Sequence, residues 1–185
     1  MMERKYPEAT AIIESIPERA RTFKNMPRSG LNPFSQGHDL AILATIERAQ
    51  GHADKARATF DSALAAFNEW LARRPEELEA LGWVAVCHAG AARKEEAQQA
   101  ADHAMETWPM SREPIRAAEL RQLVATAYAW IGDRSAAIQM LEQLVKLPGG
   151  PEAGDLKLNP RWDDLRADPR FEKLIVEAAK PIEIK

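Results

Sequence analysis

Apolar positions along this chain recur at helical spacing, and three times they stand in the same relation to a tight turn. Five residues after Gly51 comes Ala56, then Phe60 four further on and Ala63 three beyond that. The same slots after Gly132 hold Ala137, Leu141 and Leu144, and after Ala92 they hold Ala97, Ala101 and Ala104. Steps of four and three place each set on one face of a helix. The turn positions 51, 92 and 132 lie 41 and 40 residues apart. A period of this length is the mark of stacked helix pairs, each unable to bury its apolar face alone.

The periodicity predicts helices over 39–50 and 54–74, over 76–91 and 93–107, and over 114–131 and 135–147. Gly51, Pro75, Pro109 and the run Pro148-Gly149-Gly150 act as stops. Pro114 suits a first helical turn, and Asp133 suits an N-cap. The stretch 24–36, with Pro27, Gly30 and Pro33, reads as a connecting loop. Ahead of it, Ala9, Ile12, Ile13 and Ile16 form one stripe. In the tail, clusters around Trp162-Leu165 and Phe171-Ile175 predict a short helix near Asp164 and a last one over 169–179. Strand-like alternation is absent, so the class is all-α. The expected architecture is one domain over 1–185, an α-solenoid of antiparallel helix pairs. It comprises an extra helix at 6–17, repeats at 38–75, 76–109 and 114–148, and a capping segment at 156–179.

Composition narrows the function. The 185 residues are 45% hydrophobic and 29% charged, with a formal net charge of −3, ordinary for a globular domain. No basic block is present, which disfavours nucleic-acid binding, since phosphate neutralisation needs clustered Lys and Arg. No apolar run approaches the roughly 20 residues that span a bilayer. The first residues, Met-Met-Glu-Arg-Lys-Tyr-Pro, lack the apolar stretch of a secretory signal. Cys87 is the single cysteine, so no intrachain disulfide forms, in keeping with a reducing compartment. The expected location is cytoplasmic.

The stretch Leu123-Val124-Ala125-Thr126-Ala127-Tyr128-Ala129-Trp130-Ile131-Gly132-Asp133, continued through Ala137, Leu141 and Leu144, resembles the tetratricopeptide-repeat family. The family's small residue and aromatic in the first helix fall at Ala125 and Tyr128, and in the second repeat at Ala85 and His88, with Pro109 as closing proline. The first repeat departs from the pattern, with Ala44 and Glu47 in those slots and Asn68 where a closing proline would stand. The period exceeds the roughly 34 residues of a minimal repeat and overlaps the longer HEAT-type units, but the residues within each repeat favour the tetratricopeptide reading.

A narrower resemblance lies in Leu156-Lys157-Leu158-Asn159-Pro160-Arg161-Trp162-Asp163-Asp164-Leu165-Arg166-Ala167-Asp168-Pro169-Arg170-Phe171. It is similar to the segment that closes the C-terminal repeat region of certain bacterial signalling proteins: serine/threonine kinases, adenylate-cyclase-like proteins and winged-helix regulators. Residues 6–17 resemble the second helix of a preceding repeat whose first helix is absent. The resemblance therefore implies either the excised end of a larger protein or a short homologue with an altered cap. An uncovered apolar stripe at Ala9, Ile12, Ile13 and Ile16 predicts a homodimer through this end, or cover by the 26–34 loop.

Catalytic constellations are weak. The histidines His38, His52, His88 and His103 form no His-x-x-x-His pair with an adjacent Glu. His88 fills the aromatic packing slot, and Cys87 beside it faces another side of the helix, so a dyad is not expected. Gly149-Gly150 precedes no Lys-Ser/Thr, which excludes a phosphate loop. Asp163, Asp164 and Asp168 lack calcium-loop spacing and suit capping and arginine pairing. No cofactor or metal is expected.

In the tetratricopeptide geometry the first helices line a concave face. The resemblance places His38, Thr45 and Arg48, then Glu79 and Val86, then Glu119, Gln122, Thr126 and Trp130 on it. An aromatic among polar groups is what a peptide anchor site needs. The alternative for Trp130 is cover by the C-terminal tail. Trp162 and Phe171 are expected to pin that tail, and Trp70 and Trp108 to pack between repeats. The leading expectation is a non-catalytic scaffold that holds a protein or peptide segment, with no nucleic acid and no membrane. The competing one is an internal regulatory or spacer module of a signalling enzyme with no ligand of its own.

Overall fold

A computed structural model describes residues 32–180. The described residues are helical, without a strand. Three antiparallel pairs follow in chain order: α1 (Pro33–Ala49) with α2 (Ala53–Leu71), α3 (Leu78–Gly90) with α4 (Lys94–Thr107), and α5 (Pro114–Trp130) with α6 (Arg134–Leu144). The tail adds α7 (Ala153–Leu158), a 3-10 helix (Pro160–Leu165) and α8 (Pro169–Ala178). The helix expected over 6–17 lies outside the described residues, and α7 was not expected from the sequence pattern.

One turn closes all three pairs. The N–H of Gly51 donates to the carbonyl of Arg48 at 3.0 Å, and that of His52 to Glu47 at 2.9 Å. The same two bonds join Ala92 to Ala89 and Arg93 to His88, then Gly132 to Ala129 and Asp133 to Tyr128. This double closure satisfies helix-end carbonyls and needs a left-handed residue in the turn. Gly51 and Gly132 supply it at φ +80° and +88°, but Ala92 adopts φ +60° with a side chain attached. Beyond the turns, Ala56, Ala97 and Ala137 are buried, as are Phe60, Ala101 and Leu141 one turn later.

Two boundaries depart from expectation, each for a local reason. The residues 33–36, expected in a loop, begin α1: Asn32 accepts from the N–H of Phe34 at 3.0 Å, and Pro33 takes the first turn, where it sacrifices no hydrogen bond. Gly37 then sits inside the helix because the Phe67 ring occupies the place of a side chain, 2.9 Å from where a Cβ would stand. Helix α2 stops at Leu71 rather than at 74. The N–H groups of Arg73 and Arg74 both turn back to Trp70, and Pro75 disfavours helical geometry at Arg74.

The first helices form a continuous layer: α1 touches α3, and α3 touches α5. The second helices α2, α4 and α6 pack on their own partners, α2 and α4 also on the first helix of the next pair, and they stand further from one another. Helices α1, α3 and α5 thus make one layer, termed the inner layer. The core runs through the pairs in two clusters. One gathers Phe60, Phe67 and Trp83, and the other runs from Leu78 and Val124 through Leu141 to Trp162 and Phe171. The tail therefore belongs to the core, with Leu156, Trp162 and Leu165 fully buried. From there the 3-10 helix reaches α1, α5 and α6.

Candidate functional site

The tail is built around Asp155. Its carboxylate accepts from Asn159 at 2.9 Å, Arg161 at 2.8 Å and the indole N–H of Trp162 at 2.9 Å. Burial acts to raise its pKa, but the Arg161 charge and the three donors outweigh this, and the group lies below the usual carboxylate range. The network holds the 3-10 helix rigidly against the inner layer. There the indole N–H of Trp130 donates to the Arg161 carbonyl at 2.9 Å, and Arg48 pairs with Asp164 at 2.6 Å. The Arg48 guanidinium also lies 4.4 Å from the centroid of the Trp130 ring, and the Phe60 ring meets that indole edge-on at 5.7 Å.

The tail lies against Trp130, which is half-buried, and the indole N–H is engaged within the chain. Arg48 is engaged in the same way. Val86 and Thr126, expected to line the groove, are buried in the core at 1% and 2% exposure, and the Thr126 hydroxyl donates to the Gln122 carbonyl. His38 packs edge-on against Trp83 at 5.5 Å, and Thr45 donates to the Ala41 carbonyl. Thr45 also borders a cleft of about 430 Å³ between α1 and α7, walled by Ile42, Ile46 and Leu158. The nine expected residues thus do not form one surface.

Three of them do converge. Glu79, Glu119 and Gln122 border an open trough of about 470 Å³ between α3 and α5. Its apolar side is Leu78, Trp83 and Leu123, and Arg116 and Arg161 complete its rim. Trp83 is fixed from behind, parallel to the Phe67 ring with centroids 6.4 Å apart. The helical register explains the polar wall: Arg116, Glu119 and Leu123 stand three and four residues apart along α5, on one face. Arg161 was not foreseen, because only the folded tail brings it there. Trp83 was foreseeable as a large apolar residue on a first helix, and Arg116 as the residue one turn before Glu119.

The remaining chemistry is structural. Asp168 caps α8 and pairs with Arg170 at 2.7 Å, whose hydrogen bonds hold its pKa down to about 2. Asp163 pairs with Arg166 at 2.6 Å. Trp108 donates to the Glu76 carbonyl at 2.7 Å, joining the end of α4 to the approach of α3. Cys87 is fully buried, which pushes its thiol pKa far above the ordinary value and keeps it protonated. The Phe60 ring fills the space over Gly90, so that glycine serves helix packing. Among the described residues no group of three or more metal-ligating side chains comes together, and no helix is long and apolar enough to cross a membrane.

Compared with family models, with curated proteins and with solved structures, the chain gives no match.

Proposed function

We propose that the chain is a non-catalytic interaction module of the tetratricopeptide type, and that it holds an extended peptide segment in the trough between α3 and α5. The observation that carries this reading is the trough itself. It is open, lies on the inner layer, and sets an apolar strip of Leu78, Trp83 and Leu123 beside charged side chains. Apolar contact supplies affinity to such a segment, and the polar rim supplies orientation. The recurrent turns and the buried alanines after them support the repeat type. The test is selection of peptides from a displayed library on the intact chain, followed by calorimetry with Glu119→Trp. Glu119 is exposed, so a bulky residue there fills the trough without touching the core. Selected peptides should lose at least about tenfold in affinity, or 1.4 kcal/mol. Unchanged affinity would move the site elsewhere.

A second reading is favoured by the tail. The 3-10 helix already lies against part of the inner layer through Trp130 and Arg48. A module that fills its own groove suits a regulatory or spacer role in a larger signalling protein. Under this reading the library yields no binder.

A further inference from the structure

Two acids and two arginines border the trough, but they are unequally paired, and this points to the chemistry of its occupant. Glu79 and Glu119 face it from α3 and α5, and neither makes an ion pair or hydrogen bond among the described residues. Its two arginines are already matched. Arg161 is held by Asp155 at 2.8 Å, and Arg116 lies between Glu77 and Glu113 at 3.9 and 3.8 Å. The two guanidinium groups at the rim thus have carboxylate partners outside the trough, and the two carboxylates that line it have no cationic partner among the described residues. Gln122 is neutral to this choice: one of its two amide N–H groups donates to the Gly149 carbonyl at 2.7 Å, which leaves the second N–H and the amide oxygen.

We infer that the trough selects a segment bearing a cationic side chain, with Lys or Arg seated between Glu79 and Glu119. The inference rests on the binding role proposed above. The aliphatic stem of such a side chain lies along Leu78 and Leu123, while its charged head meets the two unpaired carboxylates. An acidic segment would face uncompensated like charges at the same place. The apolar strip retains the segment, and the carboxylates choose its sign.

The experiment uses the intact chain and two synthetic dodecapeptide pools, randomised over small and apolar residues. One pool carries Arg at both central positions, and the other carries Glu. Fluorescence anisotropy should show the Arg pool bound at least about tenfold more tightly, with affinity falling as salt is raised. The double variant Glu79→Gln/Glu119→Gln should lose that preference. Glu95→Gln/Glu142→Gln, at exposed positions on α4 and α6, should keep it. Equal binding of the pools, or Arg-pool binding untouched by the trough variant, overturns the inference. A preference for the Glu pool that Glu119→Trp abolishes overturns the charge assignment and leaves the peptide-binding reading standing. Retention of neither pool overturns both.

Discussion

The indole N–H of Trp130, at the end of α5, donates to the main-chain carbonyl of Arg161 at 2.9 Å. An aromatic that resembles a groove anchor in sequence is thereby a fastening point for the tail. Trp130→Phe keeps most of the ring and removes the donor. It should cost about 1 kcal/mol, the typical net value of one hydrogen bond. Trp130→Ala also removes the contacts with Phe60 and Arg48, and should cost at least about 2 kcal/mol. Urea denaturation measures both. A Phe variant as stable as the parent would show that the hydrogen bond does not hold the tail.

Ala92 stands where Gly51 and Gly132 stand in the other two turns, and its φ of +60° is left-handed. A side chain there costs about 1–2 kcal/mol, while Gly adds some unfolded-state entropy. Ala92→Gly should therefore stabilise the protein by about 0.5–1 kcal/mol. The reverse changes, Gly51→Ala and Gly132→Ala, should destabilise it by about the same amount. Thermal melts of the three variants should move in opposite directions.

His88 and Tyr128 occupy the same place in successive pairs, but only Tyr128 is fully satisfied. Its hydroxyl meets Gln98 at 3.0 Å and Asp102 at 3.3 Å. The Nδ1 atom of His88 is buried without a partner among the described residues. Burial first, and the Arg93 charge second, lower the His88 pKa below 6.5, against opposing pulls from Glu96 and Asp61. The folded protein thus takes up a proton at this ring less readily than the unfolded chain does. The associated stability is present above about pH 6.5 and is lost as pH falls through that value toward the lower folded pKa. His88→Tyr should flatten the stability profile between about pH 7 and pH 5. An unchanged slope would assign that pH dependence to other groups.

Leu141 is fully buried on α6, and Lys94 is exposed at the start of α4. Leu141→Ala should cost about 2–5 kcal/mol and Lys94→Ala no more than about 0.5 kcal/mol. Denaturant midpoints with a common slope test the difference. Similar losses in the two variants would contradict the packing register.

Much of the helical framework was legible in the chain because it is local. The turn at Gly51, its counterparts at Ala92 and Gly132, and the small residue five positions later depend on spacing along one or two helices. So does the Asp133 cap, which accepts from the N–H of Ala136 at 3.0 Å. The arginine pairing of Asp163 and Asp168 is local too, spanning three and two residues. Sequence periodicity records such relations directly. Pro33 misled because it has two meanings: a proline can open a helix as well as break one. The candidate site was legible only in part. Glu79, Glu119 and Gln122 share a surface because α3 and α5 are neighbours, which the repeat pattern implies. Arg161 joins them, and Trp130 and Arg48 leave them, through contacts with a tail 31 and 116 residues away in the chain. Such closures depend on how the tail folds back over the inner layer, and no short-range pattern encodes where a distant segment comes to rest. Residue spacing determined the helices, their turns and their buried faces. The tertiary structure alone decided which polar side chains remain free to meet a partner, because each ion pair or hydrogen bond formed within the chain removes a group from the surface.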